Sequence, residues 1–165
     1  MTRSGKCVTR LLLATLVAGT LGAGSDRMPP DAVAGRSDGA QASAGLERFL
    51  EGYFASWSSG DMQAYKAHFD EHSRILLVEN GRIRFAFPRD SFVELQAKLI
   101  ADAKAPMVER MTSYTADADE TAATVAARWL LERSNEKQTG MDRFTLIRDS
   151  RGNWKIVSLL FYIDP

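Results

Sequence analysis

The chain has 165 residues, with 21 basic and 21 acidic side chains, two histidines and a single cysteine. That balance gives no general attraction to phosphate backbones, so no nucleic-acid partner is expected. With Cys7 alone, neither a disulfide framework nor a cysteine metal site is available.

The N-terminus carries Arg3, Lys6 and Arg10 without an acid, then the apolar run Leu11 to Leu21, then Gly22-Ala23-Gly24. A basic start, a short apolar stretch and small residues before a cut describe a secretory signal peptide. The run falls short of the roughly 20 apolar residues that span a bilayer. Residues 1–24 are therefore expected to be removed near Gly24-Ser25, with a cut after Ala34 as the second choice. The product would be periplasmic or secreted, with no membrane association after cleavage. Loss of Arg3, Lys6 and Arg10 from 21 basic residues leaves 18 against 21 acidic ones, a mildly acidic mature chain. Residues 25–45 are rich in Ala, Gly, Ser, Asp and Pro and bury too little to offset the entropy of ordering them. They read as a flexible leader to one folded domain, 46–165.

Within that domain Leu46, Phe49, Leu50, Tyr53, Phe54 and Trp57 recur at three- and four-residue spacing, which predicts an amphipathic helix ending at Ser58-Ser59-Gly60. Asp61 is placed to cap a second helix with Met62, Tyr65 and Phe69 on one side. Ser73 to Val78 and Ile83 to Phe87 read as strands around the turn Glu79-Asn80-Gly81-Arg82. Pro88-Arg89-Asp90 opens a third helix, about 90–103. Strands near 107–116, 121–133, 140–149 and 153–163 follow, the last two joined by Asp149 to Asn153. Helices first and a run of strands after predicts an α+β domain with helices on one sheet face.

The segment Tyr53-Phe54-Ala55-Ser56-Trp57-Ser58-Ser59-Gly60-Asp61, followed by Met62 to Phe69, resembles the opening of the nuclear transport factor 2-like superfamily. That group includes SnoaL-like and ketosteroid-isomerase-like proteins. The element order and the ending Trp154-Lys155-Ile156-Val157 agree with it. The resemblance implies a cone-shaped, strongly curved, mostly antiparallel sheet packed on three N-terminal helices (a cystatin-like fold), a ligand-sized cavity and a homodimer. Such a fold carries isomerases, dehydratases, hydrolases and binders, so function must come from the site.

The resemblance to the isomerases can be followed residue by residue. It implies a hydroxyl donor on the first helix, and Tyr53 stands there, eight residues before Asp61. A gapless count puts Leu77 where those enzymes carry their general base, and Phe144 near their second oxyanion donor, with Asp142 two residues earlier on the same strand face. One of three roles is filled. An isomerase or lyase would then need His72, Glu79 or Asp142 beside Tyr53 as acid and base.

His68 and His72 stand four apart, as zinc ligands on a helix do, but no third ligand is apparent and no metal is expected. Gly-rich phosphate loops and a Ser-His-Asp order are lacking, and no cofactor is expected. Aromatic candidates for a lining are Tyr53, Trp57, Tyr65, Phe69, Phe85, Phe87 and Trp129. Alternation groups Arg110 with Tyr114 on one face of their strand, and sets Arg128 on the face opposite Trp129. Arg128 would clamp an anionic ligand if that face were inner, and a one-residue slip exchanges the faces. These features together give an exported, non-catalytic module holding a small, largely apolar molecule. The alternatives are an isomerase or lyase and a homodimeric assembly module.

Overall fold

A computed structural model describes residues 38–165. The expected signal peptide, and the leader up to residue 37, lie outside the described residues. The element order is α1 (Asp38–Ser58), α2 (Met62–Ala67), β1 (Phe69–Glu79), β2 (Arg82–Pro88), α3 (Arg89–Ala101), β3 (Met107–Ala118), β4 (Ala122–Arg133), β5 (Glu136–Arg148) and β6 (Trp154–Ile163). Helix α1 begins inside the segment expected to be a flexible leader.

Local chemistry explains the breaks. Gly60 takes φ +74° after α1, a conformation that a Cβ disfavours. Asp61 Oδ1 then accepts the Ala64 N–H at 2.9 Å and caps α2. Asn80 and Gly81 both adopt positive φ between β1 and β2, as the tight Asn-Gly hairpin requires. Helix α2 ends at Ala67, and Phe69 already starts a strand, so His68 and His72 do not share a helix face.

All six strands form one sheet in the order β2-β1-β6-β5-β4-β3. The β3-β4-β5-β6 run is an antiparallel meander, and β1 joins β6 in parallel. Register breaks at Leu77/Val78, Met111/Ser113 and Thr145/Leu146 mark bulges, each of which bends its strand. Helix α1 packs on β3 and α3 on β1.

The core lies between the helices and one sheet face. Leu46, Leu50, Tyr53, Phe54 and Trp57 on α1 meet Val125, Ala127 and Trp129 of β4, Phe144 and Leu146 of β5, and Ile156 and Leu159 of β6. The strands alternate buried with more exposed residues, as a one-sided sheet should. Burying this many large apolar side chains, at about 1.5–3 kcal/mol each, is the main term that stabilises the domain.

Candidate functional site

The helix-facing side of β3, β4 and β5 carries polar groups that an ordinary core would not. Asp142 on β5 is 4% exposed. Its neighbour in register two strands away is Tyr114, on β3. The Asp142 Oδ1 accepts the indole Nε1–H of Trp129 at 2.9 Å. Tyr53, from α1, sits edge-on to Phe144, with ring centroids 5.2 Å apart, and its hydroxyl bonds the Tyr65 hydroxyl at 3.0 Å. Glu109 of β3 occupies the same inner face, alternating with Met107 and Met111 and paired with Leu131.

Glu109 is half-buried on this face. Met111, Leu131, Phe161 and Ile163 are likewise only partly buried on this face. Register makes them neighbours: Met111 faces Trp129, Trp129 faces Gly140, Gly140 faces Ile163, and Asp142 faces Phe161. The result is a patch of inner sheet face, mixed apolar and acidic, that the helices do not fully cover.

Gly140 shapes the patch. A Cβ there would stand 2.2 Å from Trp129 Cζ2 and 2.3 Å from the Tyr162 carbonyl oxygen. The indole therefore lies over a bare backbone, which lets its N–H reach Asp142.

Burial dominates the electrostatics. It pushes Asp142 up to about 7, against the Trp129 indole and the nearby Tyr53 hydroxyl, both of which favour the charged form. Burial also raises Glu109 well above the usual carboxylate range, and the neighbouring Asp142 charge adds to it. Tyr53 and Tyr65 are held well above their ordinary values, chiefly by burial. Both remain hydroxyl donors at neutral pH. Asp142, Tyr53 and Tyr65 thus gather two phenols and an acid of displaced titration in one apolar surround, groups able to hold or donate a proton.

Several expected residues meet here and others do not. Tyr53, Tyr65, Trp129 and Asp142 converge, and Phe69 packs against Tyr53 and Tyr65. Trp57 is buried but points to α3, donating Nε1–H to Gln96 Oε1 at 2.9 Å. Phe85 and Phe87 stack on each other toward the β2 edge, with Phe87 near Phe92. His72 is exposed beside Glu71, and Glu79 lies at the hairpin beside Arg84. Neither reaches Tyr53. Arg110 and Arg128 stand on the outer sheet face, paired with Glu132 and Asp164, so neither clamps an anion inside. The bulge at Thr112 separates Arg110 from Tyr114, which alternation had grouped: Arg110 is outside, and Tyr114 is half-buried on the inner side. Glu109 and Gly140 are the residues that sequence reasoning missed.

A separate, open cleft of about 280 Å³ lies where α1 and α3 end, lined by Ser59, Gly60, Ile100, Lys104 and Met107 among others. It holds no buried polar cluster. Among the described residues no group of three or more His, Cys, Asp or Glu could hold a metal ion, and no helix is long and apolar enough to cross a membrane.

Three helices, a short hairpin and a four-strand meander define a nuclear transport factor 2-like protein, the superfamily that the sequence resembles. Within it, residues 41–162 match the family described as "Putative lumazine-binding", and the chain belongs to that family. Among solved structures, a cystatin-like protein of unknown function from Nostoc punctiforme is similar with TM-score 0.64 at 9% identity, over 76% of this chain and 93% of that one. An NTF-2 like protein from Shewanella oneidensis matches with TM-score 0.59 at 20% identity, over 73% and 98%. The beta subunit of the benzoate 1,2-dioxygenase of Burkholderia mallei matches with TM-score 0.62 at 16% identity, over 73% and 89%. Likeness at such identities extends to the fold alone. No curated protein matches the chain.

Proposed function

We propose that this domain binds a small, largely apolar molecule on its inner sheet face, against Glu109, Asp142 and Trp129. The observation that carries the reading is a half-buried acid, Glu109, on the inner sheet face with half-covered Met111, Leu131 and Phe161. Apolar walls with a few convergent polar groups are what ligand sites are made of. A family described as lumazine-binding is consistent with a compact heterocycle of that size. Native mass spectrometry of the protein purified from its own host, followed by denaturation, tests the reading. A stoichiometric small molecule supports it, and a homogeneous empty protein that also binds nothing from a host metabolite extract sinks it.

One observation favours a second reading, an isomerase or lyase. The Tyr53 hydroxyl lies near Asp142, with Glu109 close by, so a hydrogen-bond donor and two proton-carrying acids share one apolar space. Polarising a carbonyl and moving a proton need that combination. His72 and Glu79 have no part in it. Turnover of a released ligand that vanishes in Tyr53→Phe and Asp142→Asn would establish this reading over simple binding.

Export and dimerisation belong to the same proposal. The basic and apolar N-terminus would direct the chain out of the cytoplasm, which N-terminal sequencing of the protein from its host would test. Outer-face residues Leu130, Met141, Leu160 and Tyr162 are half-buried rather than exposed, and they would pair two copies through their sheets. Analytical ultracentrifugation giving only monomer would remove that part.

A further inference from the structure

We propose that the ligand of this site is a single-chain amphiphile: an unbranched alkyl chain lying along Phe161, Leu77 and Phe85, with an uncharged hydroxyl head at Asp142. This rests on the small-molecule reading above and names the class of molecule.

Strand register carries the inference. Tyr114 pairs with Ala127, Ala127 with Asp142, Asp142 with Phe161, Phe161 with Leu77, and Leu77 with Phe85. Residues paired in register project from the same sheet face, so one row of side chains crosses all six strands on the helix side. From Asp142 outward the row is apolar. Phe161, Leu77 and Phe85, on β6, β1 and β2, carry it to the edge of the sheet.

The adjacent row shows where the helices stop. There Phe144 pairs with Leu159, Leu159 with Ile75, and Ile75 with Phe87. Phe144, Leu159 and Ile75 are 2%, 1% and 0% exposed. One row nearer the β1–β2 hairpin, Phe161, Leu77 and Phe85 are all only half-buried. Beyond them on β2, Ile83 is 61% exposed. The chain thus leaves a row of large apolar side chains partly uncovered, running without a break from Asp142 to the β2 edge. Contiguous apolar surface of that kind marks a binding surface.

The row fixes the shape of its occupant. It is one side chain wide and three strand steps long, about 14 Å at roughly 4.8 Å per step. It runs beside α3, because Phe92 packs on both Phe161 and Phe87, with ring centroids 5.8 and 6.1 Å away. A narrow strip against a helix admits a chain, not the flat surface of a second protein. A compact ring over Trp129 and Asp142 would leave Leu77 and Phe85 uncovered. The bulge after Leu77 bends β1 where the row crosses it, which suits a flexible chain better than a long rigid one.

Charge fixes the head. The row contains no basic residue, and Asp142 stands at its inner end. Arg128 and Arg143, beside it in register and in sequence, are exposed on the opposite face. Arg84, at the outer end, is paired with Glu79 at 3.6 Å. An anionic head at Asp142 would meet a carboxyl group without a cation. A hydroxyl both donates and accepts, so it can bond that carboxyl group with or without its proton.

The test is a series of primary alcohols, hexanol, octanol and decanol, with decanoate as the anionic comparison. Each is titrated at neutral pH into the purified protein, with binding read by Trp fluorescence and isothermal calorimetry. Affinity should rise about threefold per methylene through decanol, and decanoate should bind at least roughly tenfold more weakly than decanol. Phe85→Asn, at the outer end of the row, should abolish the gain from octanol to decanol, while hexanol, too short to reach it, still binds. Leu77→Asn should act the same way one strand further in, and if it fails to fold, Phe85→Asn decides alone. Equal affinity along the series overturns the alkyl chain and leaves the small-molecule reading intact. A rise with length that Phe85→Asn leaves unchanged, or tighter binding of decanoate, does the same. Conversion of a dimer to a monomer by Phe85→Asn, seen by analytical ultracentrifugation, would make a second copy the occupant and overturn the proposal. Failure of every alcohol to bind overturns it alone if native mass spectrometry finds another small molecule, and both readings if it finds none.

Discussion

Trp129 reaches Asp142 by lying across Gly140: the indole N–H meets Oδ1 at 2.9 Å because the residue beneath the ring has no side chain. The first prediction follows from that contact. In Gly140→Ala the new Cβ would fall 2.2 Å from the indole and 2.3 Å from the Tyr162 carbonyl oxygen. The ring can swing aside, but the carbonyl belongs to the adjacent strand, where Gly140 pairs with Ile163. The cost should reach the upper part of the usual overpacking range, about 1–3 kcal/mol, and the Trp129–Asp142 bond should be lost. Urea denaturation followed by Trp fluorescence would measure both. An unchanged midpoint and spectrum would refute this account of Gly140.

A second prediction concerns Trp57, which the sequence offered as a lining residue. Its indole instead donates to Gln96 at 2.9 Å, and both residues are buried. Gln96→Leu keeps the volume and strands the indole N–H, at about 1–3 kcal/mol. Binding of the released ligand should be unaffected once unfolding is corrected for. A loss of affinity as large as the loss of stability would return Trp57 to the site.

The hydroxyl pair gives the third. Tyr53 and Tyr65 satisfy each other at 3.0 Å inside the core. Removing one hydroxyl by Tyr65→Phe leaves the Tyr53 hydroxyl free to turn toward Asp142, whose charged form it already favours. Tyr65→Phe should therefore cost little, at the lower end of about 1–3 kcal/mol. Tyr53→Phe should cost more, because Tyr65 and Asp142 both lose a partner. Thermal melts of the two single variants, compared at one pH, check the order; the reverse order would contradict the geometry.

Much of this was legible in the chain, and what was not has physical reasons. Asn80-Gly81, Gly60-Asp61 and the apolar stripe from Leu46 to Trp57 mark their elements by local rules, which hold without knowledge of the partner surfaces. Tyr53, Trp129 and Asp142 could be named because alternation sets Asp142 with Phe144 and Leu146. Glu109 alternates with Met107 and Met111, a signal that speaks only once that strand's inner face is known. The choice of face is a property of sheet packing, not of the strand alone. The Thr112 bulge then shifts alternation between Arg110 and Tyr114, and no residue type announces it. The need for Gly140 arises from a ring eleven residues away in sequence but adjacent in register.

The last prediction is a dependence of stability on pH that one substitution should flatten. Unfolded, Asp142 ionises near pH 3.9. Folded, burial holds it to about 7. Below about pH 4 both states carry the proton and there is no difference between them. As pH rises from about 4 to 7 the unfolded chain releases the proton first, so the folded state loses stability by up to about 1.4 kcal/mol per pH unit. Above 7 both states are ionised and this contribution levels off. Glu109, raised in the same sense, extends the decline. Asp90, Asp119, Glu132 and Asp149 at the surface are lowered by their partners and act in the opposite direction at acid pH, but they are common to both proteins being compared. Asp142→Asn keeps an oxygen for the Trp129 indole and cannot ionise. Its urea midpoint should therefore gain on the parent's as pH rises from 4 to 8, and Glu109 should ionise more readily beside a neutral amide. Parallel midpoint curves for the two proteins across that range would show that Asp142 is not held neutral in the folded state, and the proton-carrying reading of the site would fall with it.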